Sequence, residues 1–295
     1  MSEMNRSFHG TGVALATPFT DDLAIDYAGL EKLLEHVANG GVDYLVVMGT
    51  TAESPTLSSK EKLDVLHFVK KNNINGLPIV YGLGGNNTAQ LIEAYSSFEE
   101  DVDAFLSASP YYNKPSQEGI RKHYESIADV SNRPIILYNV PGRTSSNIEA
   151  QTTIALASHP NIIGTKEASG SIIQCTEIVQ ATSDEFLLIS GDDVLTVPLM
   201  SVGAVGVISV IANALPRDFS NMVRQAQSNQ YDLASSIAQQ MVHVNDLVTR
   251  EGNPTGIKAA LEVLGICSSN VRLPLTSASV DLREKLKSLI VPVPK

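Results

Sequence analysis

Two hydrophobic patterns take turns along the chain. Short β-branched runs bounded by turn residues read as strands at residues 12–16, 44–48, 78–82, 104–108, 134–139, 162–166, 186–190 and 206–210. Between them lie stretches whose apolar positions recur at helical spacing, among them 27–39, 58–73, 116–131 and 171–182, several opened by a serine suited to cap a helix. Strand and helix alternate throughout. Parallel strands need crossover helices of one hand, and eight such units close into a (β/α)8 TIM barrel of about 250 residues. An open doubly wound sheet is the alternative within the α/β class. Beyond Gln230 the strand runs stop, and three helical patterns follow over 232–249, 254–264 and 277–289. The expected organisation is a barrel over residues 1–230 that carries the catalytic site, with residues 231–295 as a C-terminal helical extension packed on it or used in oligomerisation.

At 295 residues and 43% hydrophobic content, the chain has enough apolar surface for a sizeable core. Its formal charge of −11 argues against binding a nucleic-acid backbone or an anionic membrane. The longest nearly uncharged apolar run, residues 202–215, falls short of the roughly 20 residues a spanning helix requires, and is expected to be one buried element. The first ten residues are polar and do not read as a secretory signal. Cys175 and Cys267 form no CxxC, as expected where thiols stay reduced, so a cytoplasmic location is expected. The six histidines show no HxH or HExxH spacing, and no metal site is expected.

Active sites of closed barrels form at the C-terminal ends of the strands, and those ends are polar here. They include GTTAES (49–54), GLGG (82–85), SPYYNKPS (109–116), YNVPGRT (138–144), KEASG (166–170), SGDD (190–193) and SVIAN (209–213). Lys166 ends the apolar run Ile162-Ile163-Gly164-Thr165, and period-two alternation would put positions 162, 164 and 166 on one face. Ile136 and Tyr138 point inward too if the registers match. An unperturbed lysine, with pKa about 10.4, is neutral in roughly one copy in 2,500 at pH 7. Burial in an apolar interior favours the neutral amine, which Schiff-base chemistry requires. The competing reading is a rim lysine paired with Asp192 or Asp193. Alternation turns Glu167 away. Asp192 and Asp193 are assigned no chemistry and read as caps or rim charges. GLGGNN is a poor dinucleotide fingerprint, and its glycines are expected to let backbone approach the site.

Six ordered motifs, GTTAES, SPYYNKPSQEG, ILYNVPGRT, IIGTKEASG, LISGDD and GVISVIAN, resemble those of the dihydrodipicolinate synthase and N-acetylneuraminate lyase superfamily of class I aldolases. The resemblance extends from VALATPF at Val13 to RLPLT at Arg272. It implies that Lys166 forms an imine with pyruvate and that Tyr138 relays protons over it, linked through Thr50 to Tyr112. A tyrosine like Tyr112 comes from the neighbouring subunit in that family, which implies a homotetramer built from tight dimers. Thr51 and the N–H groups of Thr50 and Thr51 resemble a cradle for the pyruvate carboxylate, and Gly191 and Ile208 flank the lysine.

Arg143 separates branches of the superfamily, because a guanidinium fork suits a second substrate with a carboxylate beside its aldehyde, such as aspartate semialdehyde. Sugar-acid lyases generally lack it and tend to carry Gly-Ser-Thr in place of Gly49-Thr50-Thr51. The resemblance therefore implies a lyase that condenses pyruvate with aspartate semialdehyde to 4-hydroxy-tetrahydrodipicolinate, on the diaminopimelate route to lysine, with no cofactor. Another pyruvate-dependent aldolase, and a non-catalytic barrel that binds a small carboxylate, are the alternatives. Ala52 replaces the glycine usual in this family. Ser54, Asn86 and Tyr111 match the cleft where some relatives bind lysine, but Lys62 and Gln90 stand where His and Glu are common. Weak or absent inhibition by lysine is expected.

Overall fold

The computed structural model describes residues 6–290, so the polar N-terminal stretch begins, and the expected helical extension ends, outside the described residues. The strands are β1 (Gly10–Ala14), β2 (Tyr44–Val47), β3 (Ile79–Gly82), β4 (Ala104–Ala108), β5 (Ile135–Asn139), β6 (Ile162–Glu167), β7 (Leu187–Ser190) and β8 (Gly206–Ser209). They form a closed barrel in sequence order, with β8 paired in parallel to β1. Each of the eight runs read from the sequence corresponds to a strand.

The helices that cross between strands include α1 (Tyr27–Asn39), α2 (Ser59–Lys71), α3 (Thr88–Ser96), α4 (Gln117–Val130), α5 (Pro141–Thr144), α6 (Ala150–Leu156), α7 (Ile172–Ala181) and α8 (Thr196–Ser201). Their starts follow the local sequence. Ser116 and Ser171 each accept a backbone N–H three residues on, and Ser58 forms a reciprocal capping box with Glu61. After β8 come α9 (Pro216–Gln227), α10 (Tyr231–Arg250), α11 (Thr255–Val263) and α12 (Val280–Ile290). Helix α10 packs on α9 and α8, and α12 on α11 and α10, so the last three helices form a layer against the barrel.

Two apolar clusters divide the interior. The larger lies between strands and helices and includes Leu30, Leu45, Phe105, Leu137 and Leu188; the smaller fills the barrel with Tyr44, Val46, Val80, Leu106, Ile136, Ile189 and Ile208. Room inside is limited by side-chain size. A Cβ added at Gly12 would stand 2.2 Å from the Tyr44 ring, so the glycine makes space for the tyrosine.

Two details differ from the expectations. The register of β5 against β6 shifts between Ile135 and Ile136, which pair with Ile162 and Gly164, leaving Ile163 as an extra residue. Ile162 therefore packs in the outer cluster, while Ile163 packs against the inner one. The bulge corrects the phase for position 162 and is what sets Gly164 and Lys166 opposite Ile136 and Tyr138. The apolar run 202–215 is not one element: it divides into a turn, β8 and a 3-10 turn at Ile211–Asn213.

Candidate active site

The β6 terminus carries Lys166 into the barrel mouth, where it is 4% exposed. Its strand neighbours are Tyr138 on β5 and Ile189 on β7, both members of the inner cluster. Nζ lies 4.4 Å from the centroid of the Tyr138 ring. Among the described residues no carboxylate comes within 4.0 Å of it.

The neighbouring acids are engaged elsewhere. Glu167 faces outward, accepting from Asn139 Nδ2, Gln174 Nε2 and the Ser169 N–H at 2.8–3.1 Å. Asp192 caps the segment that follows it, accepting from the N–H groups of Val194 and Leu195. Asp193 reaches across to the residues just after β8, where Oδ2 accepts from the N–H groups of Val210 and Ile211. Burial pushes its carboxyl above the usual range against the pull of those bonds and of Lys166. Rim pairing of the lysine is thus not what these acids do.

Gly191 comes close to the lysine stem. A Cβ at Gly191 would meet Ala168 Cβ at 2.8 Å and Lys166 Cε at 3.1 Å, so the β7 terminus lies directly against the lysine stem. Ile208 is 1% exposed within the inner cluster.

A cavity of about 460 Å³ opens over the barrel mouth. Its lining includes Thr50, Glu53, Lys62, Gly82, Gly84, Tyr111, Tyr138 and Arg143. Lys166 borders it through Tyr138 rather than lining it. The close approach expected of the glycines is observed: a Cβ at Gly82 would overlap Met48 O at 2.2 Å. Thr50 and Thr51 belong to a 3-10 turn (Thr50–Ala52) directly after β2. The Thr51 hydroxyl accepts from Asn253 Nδ2 at 3.0 Å, and Arg143 Nη2 donates to Asn253 O at 3.3 Å. Tyr112 stands apart, 89% exposed and with a backbone φ of 73°.

Three residues around this mouth were not singled out by sequence. Asn253 joins Thr51 to Arg143 from the loop between α10 and α11, and Glu53 pairs with Lys258 of α11 at 2.5 Å. Glu53 lies inside GTTAES and Lys258 inside a helical pattern, but no local signal couples positions more than 200 apart. A separate and more apolar cavity of about 590 Å³, against α8, α9 and α10, holds none of the expected residues.

Comparison with known proteins accords with this arrangement. The model of the dihydrodipicolinate synthetase family matches residues 7–292. A 4-hydroxy-tetrahydrodipicolinate synthase of Cytophaga hutchinsonii is 48% identical over 288 residues, covering 97% of each chain. Its namesake in Parabacteroides distasonis is 46% identical over 292 residues, covering 98% of each. The crystal structure of dihydrodipicolinate synthase from Aquifex aeolicus superposes with a TM-score of 0.91 at 37% identity, covering 96% of this chain and 97% of that one. From sequence motifs, barrel and relatives together, the chain belongs to the dihydrodipicolinate synthetase family.

Proposed function

We propose that the chain is a lyase that condenses pyruvate with L-aspartate 4-semialdehyde to 4-hydroxy-tetrahydrodipicolinate, feeding the diaminopimelate route to lysine. The observation that carries this reading is a buried lysine amine, with no carboxylate within 4.0 Å among the described residues, facing a tyrosine ring at the mouth of a closed barrel. The names borne by its relatives support the same activity.

In the proposed reaction, the Lys166 amine attacks the ketone carbon of pyruvate. The resulting carbinolamine loses water to give an imine, and loss of a methyl proton converts this to an enamine. Tyr138 is the proposed proton carrier, joined to Thr50 and to Tyr112; a hydroxyl both donates and accepts, as a relay requires. Thr51 and the adjoining N–H groups hold the pyruvate carboxylate. The enamine carbon attacks the aldehyde of the second substrate, whose carboxylate Arg143 holds. The amino group of that substrate then displaces Lys166 as the ring closes, freeing the lysine for another turnover. Gly191 and Ile208 flank the lysine and orient the intermediates through their backbone carbonyls.

The relay also motivates a proposed homotetramer of tight dimers. Tyr112 is almost fully exposed on the isolated chain and does not line its own cavity, as suits a residue supplied to a neighbour. The proposed organisation is a catalytic barrel over 1–230 with a helical extension over 231–295. A cytoplasmic location is proposed on the free thiols of Cys175 and Cys267.

Borohydride trapping with pyruvate, followed by peptide mapping, tests nucleophile and substrate together. A mass increase at Lys166 is expected; none at any pyruvate concentration would refute the Schiff-base reading and favour a binding protein.

A further inference from the structure

Glu53 lies three residues beyond Thr50, in a left-handed conformation at φ 55°, and is 3% exposed. A non-glycine residue stays there only where its surroundings hold it. Its carboxylate is gripped at both oxygens by the C-terminal layer. Oε1 accepts from Lys258 Nζ at 2.5 Å, and Oε2 from the Arg272 N–H at 2.9 Å. Lys258 is fully buried, donates also to Asn270 O at 2.8 Å, and lies 4.0 Å above the Phe19 ring. The Arg272 guanidinium covers the same ring at 4.5 Å, donates to Thr56 O at 2.9 Å and pairs with Glu61 at 2.6 Å. Two basic residues beyond the barrel thus hold the segment that follows β2 at Glu53, Thr56 and Glu61.

An ion pair so deeply buried is a poor device for stability alone, since apolar replacement of both partners is often neutral or stabilising. Charges with fixed hydrogen-bond directions instead specify one geometry. Glu53 also donates its N–H to Thr50 O at 3.1 Å, and Thr50 lines the cavity at the mouth of the barrel beside the buried Thr51.

We infer that Glu53 and Lys258 are positioning residues, through which the C-terminal helical layer sets the Thr50–Thr51 turn in the orientation that binds the pyruvate carboxylate. The inference rests on the function proposed above. The Glu53 carboxylate and the Lys258 amine are engaged with each other and with backbone groups of Arg272 and Asn270. Losing the pair loosens the turn, weakening pyruvate binding more than the later chemistry.

The test uses the full chain with Glu53→Gln and Glu53→Gln/Lys258→Met. Glu53→Gln retains an acceptor for the Arg272 N–H, while the double variant leaves no unpaired charge. Folding is checked by circular dichroism, and borohydride trapping at Lys166 is measured against pyruvate concentration. We expect half-maximal trapping to need about tenfold more pyruvate, a loss of about 1.4 kcal/mol in binding, with kcat at saturating pyruvate changed less than threefold. A folded variant of either kind that keeps the parent's half-saturation overturns the inference, as does an equal fall in kcat. Failure of the parent chain to trap pyruvate at all refutes the Schiff-base function instead.

Discussion

Gly191 offers a test of how closely the lysine is held. In Gly191→Ala the new methyl would lie 2.8 Å from Ala168 Cβ and 3.1 Å from both Glu167 O and Lys166 Cε. Carbon atoms in contact normally sit about 3.5–4.0 Å apart, so something must move. Ala168 and Glu167 are on backbone fixed by the barrel, and Gly191 itself donates to Glu167 O at 2.8 Å. The lysine stem is the softer neighbour. Overpacking of this kind costs about 1–3 kcal/mol. With an unfolding entropy of about 0.6 kcal/mol/K for a chain of 295 residues, that lowers Tm by about 2–5 °C. The effect on chemistry is expected to be larger, because about 1 Å of misplacement can cost about a hundredfold in rate. The assay is the rate of borohydride trapping with pyruvate, beside a melting curve. Gly142→Ala is the control, since nothing lies within 4 Å of a Cβ there. If Gly191→Ala traps pyruvate as fast as the parent, the amine is not positioned by this contact; if Gly142→Ala is equally slow, the effect is general fragility.

Other substitutions separate the parts of the site. Arg143→Ala should leave trapping of pyruvate intact while lowering kcat/KM for aspartate semialdehyde by about ten- to a hundredfold, the worth of a charge-assisted hydrogen bond; unchanged kcat/KM would remove Arg143 from substrate binding. Lys258→Met alone strands the Glu53 charge, at a cost of about 3–5 kcal/mol, and should lower Tm by about 5–8 °C, whereas the double variant should recover most of that in the same melting experiment. Burial holds His123 down at about 4, below the unfolded value of about 6.5. The unfolded chain therefore takes up the proton first, and stability should fall as pH drops from about 6.5 to about 4. Denaturant titration of His123→Asn should show a shallower slope over that window, and an identical slope would sink the assignment. Lys62, its amine pulled down by burial, lines the cavity over the barrel mouth, and its cation would repel an added ammonium there. Added L-lysine should therefore leave steady-state rates unchanged at low concentration, and strong inhibition there would show that the cleft accommodates a second cation.

Much of the molecule was legible locally. Strand runs, serine caps and three C-terminal helical patterns are short-range consequences of side-chain shape and periodicity. The polar strand ends pointed to the barrel mouth because closed parallel barrels leave their C-terminal ends to loops. Lys166 stood out because a charged residue ending an apolar run is rare without a task. The pairing with Tyr138 was not legible, because it takes a one-residue shift in β6: continuing the Ile135–Ile162 register would set Tyr138 opposite Thr165. The Ile163 bulge was hidden, since one extra residue in a strand has no signature among consecutive isoleucines.

The amino-acid order by itself determined the α/β alternation, the eight strands and the inventory of groups that suit imine chemistry, because each depends on neighbours within a few positions. Only the tertiary structure decided which acids leave Lys166 alone and how the Thr50–Thr51 turn is held. Those outcomes depend on burial and on contacts between distant segments, as when Lys258 and Arg272 meet Glu53 across some two hundred residues. Closure of the barrel creates such encounters, and no local pattern records them.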